Sequence, residues 1–421
     1  MRVLLIHNAY QQPGGEDTVV EQERRLLESA GHRVITYLRS NCEMENSSAS
    51  RKLTSIGKAF WATDSRRDIF RILQQEKPSV VHVHNTFFMI SPSIYSACNE
   101  SGVPVVQTLH NYRMLCPAAN FFRAERACEE CAERGLWRGV LHGCYRDSRA
   151  ATAAVGMMLG LHRALGTWTA GVDCYIALSN FAREKFIAGG IPQRKIVVKP
   201  NFVSPDPGPG KGNREYALFV GRLSAEKGPG TLLDAWERLQ SDIPLVMIGD
   251  GPLSAELKSR AQKLRLSHRI TFLGRLAREE TIAAMQRARF LILPSRCYEN
   301  FPMSICEAFA CGTPVICSRM GSMQEIVEDG RTGFHFSPGD ADDLAGKVEW
   351  AWANPRRLAG MAAEARAAFV SKYTAERNYQ MLMEIYRQSM TPSLPLLDSA
   401  RDEHFSSPAL CSKTESPTTV V

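Results

Sequence analysis

Long apolar runs are missing from this chain. A membrane-spanning helix needs about 18 consecutive apolar residues, and the longest candidate, Ala150 to Leu161, stops at His162-Arg163. The opening run Met1 to Ile6 ends before it reaches the length of a secretory signal. We therefore expect a cytoplasmic protein and interpret the glycosylation match at Asn46-Ser-Ser as chance.

Familiar nucleotide and metal motifs are also missing. Gly14-Gly15 lacks the third glycine of a dinucleotide fingerprint, and Gly221 to Lys227 has Glu226 where a P-loop needs its second glycine. The pair Asp340-Ala-Asp342 suits the start of a helix better than a catalytic metal. The excess of 51 lysines and arginines over 44 acidic residues is modest, and no nucleic-acid-binding motif accompanies it. The sequence predicts no nucleic-acid partner and no cofactor for catalysis.

The composition is that of a globular protein, with 44% hydrophobic and 23% charged residues. Its 421 residues allow two domains of ordinary size. Strand and helix patterns alternate, which predicts an α/β fold with two doubly wound parallel sheets and a ligand cleft between them. The predicted strands cover residues 2–6, 33–37, 79–83, 103–109, 174–178 and 196–199, then 216–220, 245–248, 270–273, 290–293 and 315–317.

A segment rich in proline and glycine, residues 201–213, separates the two halves and is typical of a hinge. We therefore expect a first domain over residues 1–200 and a second over 214–374. A terminal helix should follow over 375–390. Residues 391–421 are rich in Ser, Thr and Pro and predict a disordered tail.

Two carboxylates separated by seven residues form the most informative motif. Pro302 suits the first turn of a helix, so Glu299 should lie in the loop before it and Glu307 one to two turns inside. Unpaired N–H groups at a helix start attract anions. The predicted anion site comprises Asn300, Phe301, Pro302, Met303 and Ser304.

A second motif supplies cations for such an anion. The predicted strand over 216–220 runs into Gly221-Arg-Leu-Ser-Ala-Glu-Lys-Gly228, which puts Arg222 and Lys227 on one turn. Each charge-assisted hydrogen bond to a phosphate is typically worth about 1.5 to 3 kcal/mol. We expect these two side chains to clamp a diphosphate.

Together these motifs resemble the donor-binding domain of retaining glycosyltransferase family 4, which has the GT-B architecture of two facing Rossmann-like domains. Further matching pieces are Gly249-Asp-Gly-Pro252, Ala310-Cys-Gly-Thr-Pro-Val-Ile316 and Glu325-Ile-Val-Glu-Asp-Gly-Arg-Thr-Gly333. The resemblance implies transfer of a sugar, with retention, from a nucleotide-diphosphate sugar to a hydroxyl acceptor. It also implies that this acceptor is a glycan or a lipid-linked saccharide in polysaccharide biosynthesis.

The resemblance implies residue roles as well. Glu299 would lie near the donor sugar, Glu307 would contact the nucleotide ribose, and the terminal helix would cross back onto the first domain. The residues expected to carry the reaction are His110, Arg222, Lys227 and Glu299. A non-catalytic sugar-nucleotide or carbohydrate-binding protein of the same fold is the alternative, although the intact charged residues argue against it.

The first domain contributes candidates of its own. Gly14 and Gly15 have no side chains and allow a ligand close to the backbone before a helix, although a plain turn is the alternative. His110 follows the strand over 103–109, where relatives place a sugar-contacting histidine. It could donate a hydrogen bond to a hydroxyl or influence proton transfer, since histidine has a pKa of about 6.5. His82 and His84 could instead be a satisfied core histidine and a cleft-wall residue.

Four of the twelve cysteines fall in one polar stretch. Four thiolates around a short C-x-x-C suit a tetrahedral structural zinc ion that would staple the insertion over residues 116–144. Disulfides are disfavoured in a reducing cytosol, but the cysteines could instead stay free thiols or serve redox chemistry. The predicted zinc ligands are Cys116, Cys128, Cys131 and Cys144.

Between Arg51 and Lys77, basic residues alternate with apolar ones that include Phe60, Trp61 and Phe70. This pattern is typical of an amphipathic helix that can lie on anionic lipid. The favoured interpretation is a surface helix whose apolar stripe packs on its own sheet. A peripheral contact with the inner face of a membrane is the alternative.

Overall fold

The computed structural model describes residues 1–10, 14–44, 57–212 and 214–391. The predictions that concern Pro13, Asn46, Arg51, Asn213 and the tail from residue 392 lie outside the described residues. Two six-stranded parallel sheets dominate the described part of the chain. The predicted α/β class with two doubly wound domains is confirmed.

The first sheet has the strand order β2-β1-β3-β4-β7-β8. Its inner strands are largely buried because helices cover both faces, and Val3 to Ile6 on β1 are fully buried. The edge strand β2 is partly exposed. Its strands are β1 (Arg2–Ala9), β2 (Arg33–Ser40), β3 (Val80–Asn85), β4 (Val105–Thr108), β7 (Cys174–Ala177) and β8 (Ile196–Val198). Its helices are α1 (Gly15–Ser29), α2 (Thr63–Glu76), α3 (Ile94–Glu100), α6 (Arg149–Ala164), α7 (Thr167–Ala170) and α8 (Asn180–Ala188).

The stretch that contains the four cysteines is an excursion between β4 and α6. It holds a short antiparallel hairpin and two short helices, none of which the sequence predicts. These elements are β5 (Phe122–Arg123), β6 (Arg126–Ala127), α4 (Glu130–Arg134) and α5 (Trp137–His142).

The second sheet has the strand order β11-β10-β9-β12-β13-β14. Its strands are β9 (Tyr216–Val220), β10 (Leu245–Ile248), β11 (Ile270–Gly274), β12 (Ala288–Leu293), β13 (Val315–Ser318) and β14 (Gly333–Phe336), of which β14 is not predicted. Its helices are α9 (Pro229–Arg238), α10 (Ser254–Lys263), α11 (Arg278–Arg287), α12 (Met303–Ala310), α13 (Gly321–Ile326), α14 (Ala341–Ala353), α15 (Pro355–Lys372) and α16 (Ala375–Met390).

Each sheet reverses its winding at one point, between β1 and β3 in the first and between β9 and β12 in the second. Ligands of open α/β sheets bind outside the carboxyl ends of the strands at such points. The loops that leave β1, β9 and β12 carry Gly14-Gly15, Arg222 to Lys227 and Ser295 to Glu299. The topology therefore brings the predicted motifs of both halves to one place.

The terminal helix α16 returns to the first domain and packs against α1, β3 and β4. Leu382 and Tyr386 on this helix are fully buried. Asn378 donates a hydrogen bond to the carbonyl of Pro200 and accepts one from Lys199. The last helix is thus a structural part of the first domain.

The described part of the predicted basic helix, α2, buries Ile69 and Leu73 against its own sheet. Its cation Arg66 pairs with Glu100. Trp61 and Phe70 stay exposed. Within the described residues, every helix is too short or too polar to cross a membrane.

Candidate active site

A large cleft lies between the two domains and encloses about 2050 Å³, including the open solvent at its mouth. Both domains contribute to its walls, at the carboxyl ends of their strands. The predicted residues that line it are Gly14, Gly15, His110, Arg222, Lys227, Glu299, Phe301, Pro302, Met303, Ser304 and Glu307.

Two helices begin at this cleft from opposite sides. Helix α1 begins at Gly15 in the first domain, and α12 begins at Met303 in the second. A Cβ atom placed on Gly15 would lie 3.5 Å from Cγ of Met303, so the two helix starts approach each other closely. Each start carries unpaired N–H groups and a partial positive charge, and together they favour an anion between them.

Lys227 is bound to Glu299 in this structure. Its ammonium Nζ lies 2.6 Å from Oε1 of Glu299, and the same oxygen accepts a 2.6 Å hydrogen bond from the hydroxyl of Ser295. Burial alone would lower the pKa of Lys227, but the Glu299 carboxylate outweighs it and raises the pKa to about 12. Lys227 is therefore a charged side chain, about one third exposed, with a partner that it can exchange for a phosphate.

Glu307 lies in the second turn of α12 and is nearly buried. Burial raises the pKa of Glu307 above its usual value. Nε of Arg278, at the start of α11, lies 3.6 Å from its Oε1 and opposes that rise. A carboxylate held there by one arginine is available as an acceptor for a ligand hydroxyl.

Asn300 does not line the cleft, unlike the rest of its predicted loop. Its side chain is buried and donates a hydrogen bond to the carbonyl of Leu109 in the first domain. Asn300 therefore connects the two domains directly beside His110, and its role in donor binding stays a prediction. The sequence does not reveal this contact because its partner is a backbone carbonyl 191 residues away.

Burial lowers the pKa of His110 to about 3 and so favours its neutral form. Its expected contact with a sugar hydroxyl or influence on proton transfer stays a prediction. Its Nε2 lies 2.9 Å from Nδ1 of His84. His82 is a satisfied core histidine, with its two ring nitrogens bound to the hydroxyls of Tyr386 and Thr108 at 2.8 Å each.

Comparison with known proteins identifies the family of this chain. Residues 205–368 match the family of glycosyl transferases group 1, and residues 13–207 match Glycosyltransferase Family 4. A glycogen synthase of Mycobacterium tuberculosis is 31% identical over 338 residues, which are 77% of this chain and 73% of the relative. The chain belongs to the group 1 glycosyl transferases.

Two further comparisons concern the extent and the fold of this glycosyltransferase. An uncharacterized glycosyltransferase of Methanocaldococcus jannaschii is 30% identical over 220 residues, which are 52% of this chain and 61% of the relative. A solved structure of Anabaena HepE in complex with UDP-glucose has a TM-score of 0.64 at 18% identity and covers 92% of this chain and 100% of that chain. The family and the GT-B fold that the motifs predict are thereby confirmed.

Four further charged residues of this glycosyltransferase line the cleft, although no role is predicted for them from the sequence. Arg275 and Arg278 add positive charge at the second-domain wall, where Asp250 also lies, and Glu16 lies at the start of α1. Burial raises the pKa of Glu16 to about 8, with a further contribution from neighbouring Asp17. Glu16 could have been noticed in the sequence because it directly follows the glycine pair.

The four cysteines of the glycosyltransferase's insertion lie in one neighbourhood. Burial, followed by the proximity of Cys116, Cys144 and Cys128, raises the pKa of Cys131 to about 12. Among the described residues, the one group of three possible ligands within 4.8 Å of one another is Glu23, His82 and His84. Four thiols suit zinc chemically, but their sulfur atoms would have to come closer together to enclose an ion. The zinc site stays a prediction.

Proposed function

We propose that this glycosyltransferase moves a sugar from a nucleotide-diphosphate sugar to a hydroxyl of a glycan or lipid-linked saccharide in the cytoplasm, with retention of configuration. The observation that carries the proposal is the convergence of two helix starts and two cations on one cleft. This combination is what a dianionic leaving group requires.

Departure of the sugar leaves negative charge on the diphosphate, and groups that are strongest at that moment accelerate the reaction. In the proposed complex, Lys227 leaves Glu299 for a phosphate oxygen, and Arg222 joins it from the same loop. The N–H groups at the starts of α1 and α12 complete the phosphate site. No metal ion is needed in this arrangement, because the chain itself supplies the positive charge.

The two glutamates bind the rest of the donor in this proposal. Once Lys227 has moved to a phosphate, Glu299 is free to accept a hydrogen bond from the sugar, with Ser295 holding its carboxylate in place. Glu307 accepts a hydroxyl of the nucleotide ribose, and Arg278 orients it from the side. His110 contacts the sugar from the first domain.

The solved Anabaena relative is a complex with UDP-glucose, which supports a nucleotide-diphosphate sugar as the donor of this chain. Purified protein should be screened by thermal shift against UDP-, GDP-, ADP- and dTDP-sugars, since a bound ligand stabilises the folded state by mass action. We expect one nucleotide class to raise the Tm by several degrees, and to do so less in Lys227→Ala. A panel without any stabilising nucleotide would contradict the proposal.

The alternative is a binding protein without transferase activity. It predicts the same thermal shift but no turnover. Release of nucleotide from the stabilising donor, followed with and without a mixture of oligosaccharide acceptors, separates the two. Acceptor-dependent release supports the transferase, and binding without any release over many hours supports the alternative.

We propose a peripheral contact with anionic lipid through α2 and the residues just before it. Trp61 and Phe70 are 45% and 39% exposed and line one surface pocket together with Arg66 and Arg67. Co-sedimentation with vesicles of phosphatidylglycerol and phosphatidylcholine should weaken in a Trp61→Glu and Phe70→Glu double variant. The matched control is Val370→Glu, at a 53% exposed position in the second domain. Equal sedimentation of all three proteins would contradict the contact.

A further inference from the structure

A cluster of buried ionisable side chains lies directly behind His110 and has no part in the proposed reaction. Glu23 on α1, His84 on β3 and Lys199 after β8 are each at most 3% exposed. His84 forms the contact to His110, and its ring stacks on the ring of His110 at 5.2 Å. The cluster therefore connects the first-domain interior to the cleft.

Glu23, His82 and His84 have the composition of a metal site, but their partners argue against that role. Oε1 of Glu23 is already bound to the ammonium of Lys199 at 2.6 Å, so the lysine stands where a metal ion would bind this oxygen. Both ring nitrogens of His82 are bound to hydroxyls. The cluster is better described as an ion pair against which a histidine pair is stacked.

The second oxygen of Glu23 faces His84. Its Oε2 lies 3.4 Å from Nε2 of His84, and among the described residues neither buried atom has a hydrogen-bond partner, so the two are close but not aligned as a hydrogen bond. Burial would raise the pKa of Glu23, but Lys199 outweighs it and the pKa is lowered, so Glu23 is a carboxylate. A carboxylate only accepts hydrogen bonds, whereas a lone pair of His84 in that position would repel it.

Both histidines are neutral, because burial lowers the pKa of His84 well below its usual value and that of His110 to about 3. Each ring therefore carries one proton, on one of its two nitrogens. If His84 carries its proton on Nε2, toward Glu23, its Nδ1 is an acceptor. The 2.9 Å contact then requires His110 to donate from Nε2.

We propose that the Glu23–Lys199 ion pair sets the tautomers of His84 and His110, so that His110 presents an unprotonated Nδ1 to the cleft. Among the described residues, no side chain or carbonyl is hydrogen-bonded to that nitrogen. Glu23, Lys199 and His84 are then positioning residues. His110 recognises a ligand group that donates a hydrogen bond, and a donor-sugar hydroxyl is that group if the proposed function holds.

Helix α16 participates in this arrangement. Oδ1 of Asn378 lies 3.2 Å from Nζ of Lys199, and the hydroxyl of Tyr386 lies 2.8 Å from Nδ1 of His82, whose ring stacks on His84 at 4.2 Å. The last helix of the chain thus holds the ion pair that orients a histidine in the cleft.

Histidine tautomers can be measured without any substrate. In the full chain labelled with ¹⁵N-histidine, two-bond proton–nitrogen spectra distinguish protonated from unprotonated ring nitrogens, and His110→Asn and His84→Asn assign the signals. We expect Nε2–H and bare Nδ1 for both residues. A proton on Nδ1 of His110 in the wild type overturns the proposal. A metal ion bound stoichiometrically to Glu23, His82 and His84 also overturns it.

Glu23→Gln provides the directed test. Lys199 needs an acceptor, so the amide oxygen should turn to it and the amide NH₂ to His84, which reverses both tautomers. The control is Glu28→Gln, the same substitution on the same helix at an exposed carboxylate that pairs with Arg24. We expect His110 to change tautomer in Glu23→Gln alone. Unchanged tautomers in a folded Glu23→Gln protein overturn the proposal.

Kinetics with the nucleotide sugar found in the thermal-shift panel supply a second readout. In Glu23→Gln, we expect a roughly tenfold lower kcat/KM, equivalent to about 1.4 kcal/mol, and no change in the control Glu28→Gln. An unchanged kcat/KM despite reversed tautomers overturns the sugar-binding part alone. If no nucleotide sugar binds, the proposed function fails while the tautomers remain measurable.

Discussion

At the scale of single residues, the sequence predicts which side chains reach the cleft but not which groups they contact there. The positions of Arg222, Lys227, Glu299 and Glu307 in the cleft follow from strand ends and a helix start, which the local sequence predicts. The hydrogen-bond partners of the cleft residues cannot be predicted from the local sequence. The contacts of Lys227 with Glu299 and of Asn300 with Leu109 join segments 72 and 191 residues apart. No local pattern records such distances.

Replacement of Lys227 tests the phosphate clamp at this scale. One charge-assisted hydrogen bond is worth about 1.5 to 3 kcal/mol, so Lys227→Ala should lower kcat/KM about 10- to 150-fold. The side chain is partly exposed and Ser295 still binds Glu299, so we expect the Tm to change little. Lys347→Ala, on the second domain away from the cleft, is the control. Wild-type turnover in Lys227→Ala would refute the clamp.

Glu16 predicts a pH dependence of stability. Because burial raises its pKa in the folded state to about 8, its protonated form is favoured by folding, and that contribution is complete below about pH 4.5. It is lost as the pH rises toward 8 and the carboxyl ionises in a buried site. Relative to Glu16→Gln, the wild type should therefore lose a few kcal/mol of unfolding free energy between these values. Parallel urea titrations across this pH range measure the difference, and parallel curves would contradict it.

At the scale of elements, short apolar runs predict the strands of both sheets except β14, and the hairpin strands also escape prediction. Strand β14 is Gly-Phe-His-Phe and has no continuous apolar run. The hairpin strands β5 and β6 have two residues each, too few positions to show a period of two. They form because neighbouring elements pair with them, as β13 does with β14.

The cysteine insertion is the element whose role is most readily tested. Its raised thiol pKa at Cys131 means that zinc binding must displace protons, so affinity should rise with pH. We expect close to one zinc ion per chain in carefully reduced protein, and clearly less in Cys128→Ser. Cys42→Ser, at an exposed cysteine outside the insertion, is the control. Less than about 0.2 zinc per wild-type chain by elemental analysis would exclude the structural site.

For the whole molecule, two doubly wound sheets and a cleft between them could be predicted because alternating strands and helices leave few topologies. The mutual approach of the domains could not. Gly15 faces Met303, and α16 enters the first domain after the entire second domain has been completed. Those contacts depend on surfaces that form only after each half has folded.

Truncation tests this dependence on the last helix. Leu382, Met383, Ile385 and Tyr386 are buried, and burial of each such side chain is worth about 1.5 to 3 kcal/mol. Their sum approaches the 5 to 15 kcal/mol that typically stabilises a domain. A chain ending at Tyr373 should therefore lose cooperative unfolding of the first domain in calorimetry, because Lys199 and His82 also lose their partners on α16. A chain ending at Thr391 is the matched control and should keep the wild-type Tm. If the shorter chain kept that Tm, the first domain would fold without α16. The cluster of Glu23, His84 and Lys199 behind His110 would then be stable without the hydrogen bonds that Asn378 and Tyr386 make to Lys199 and His82.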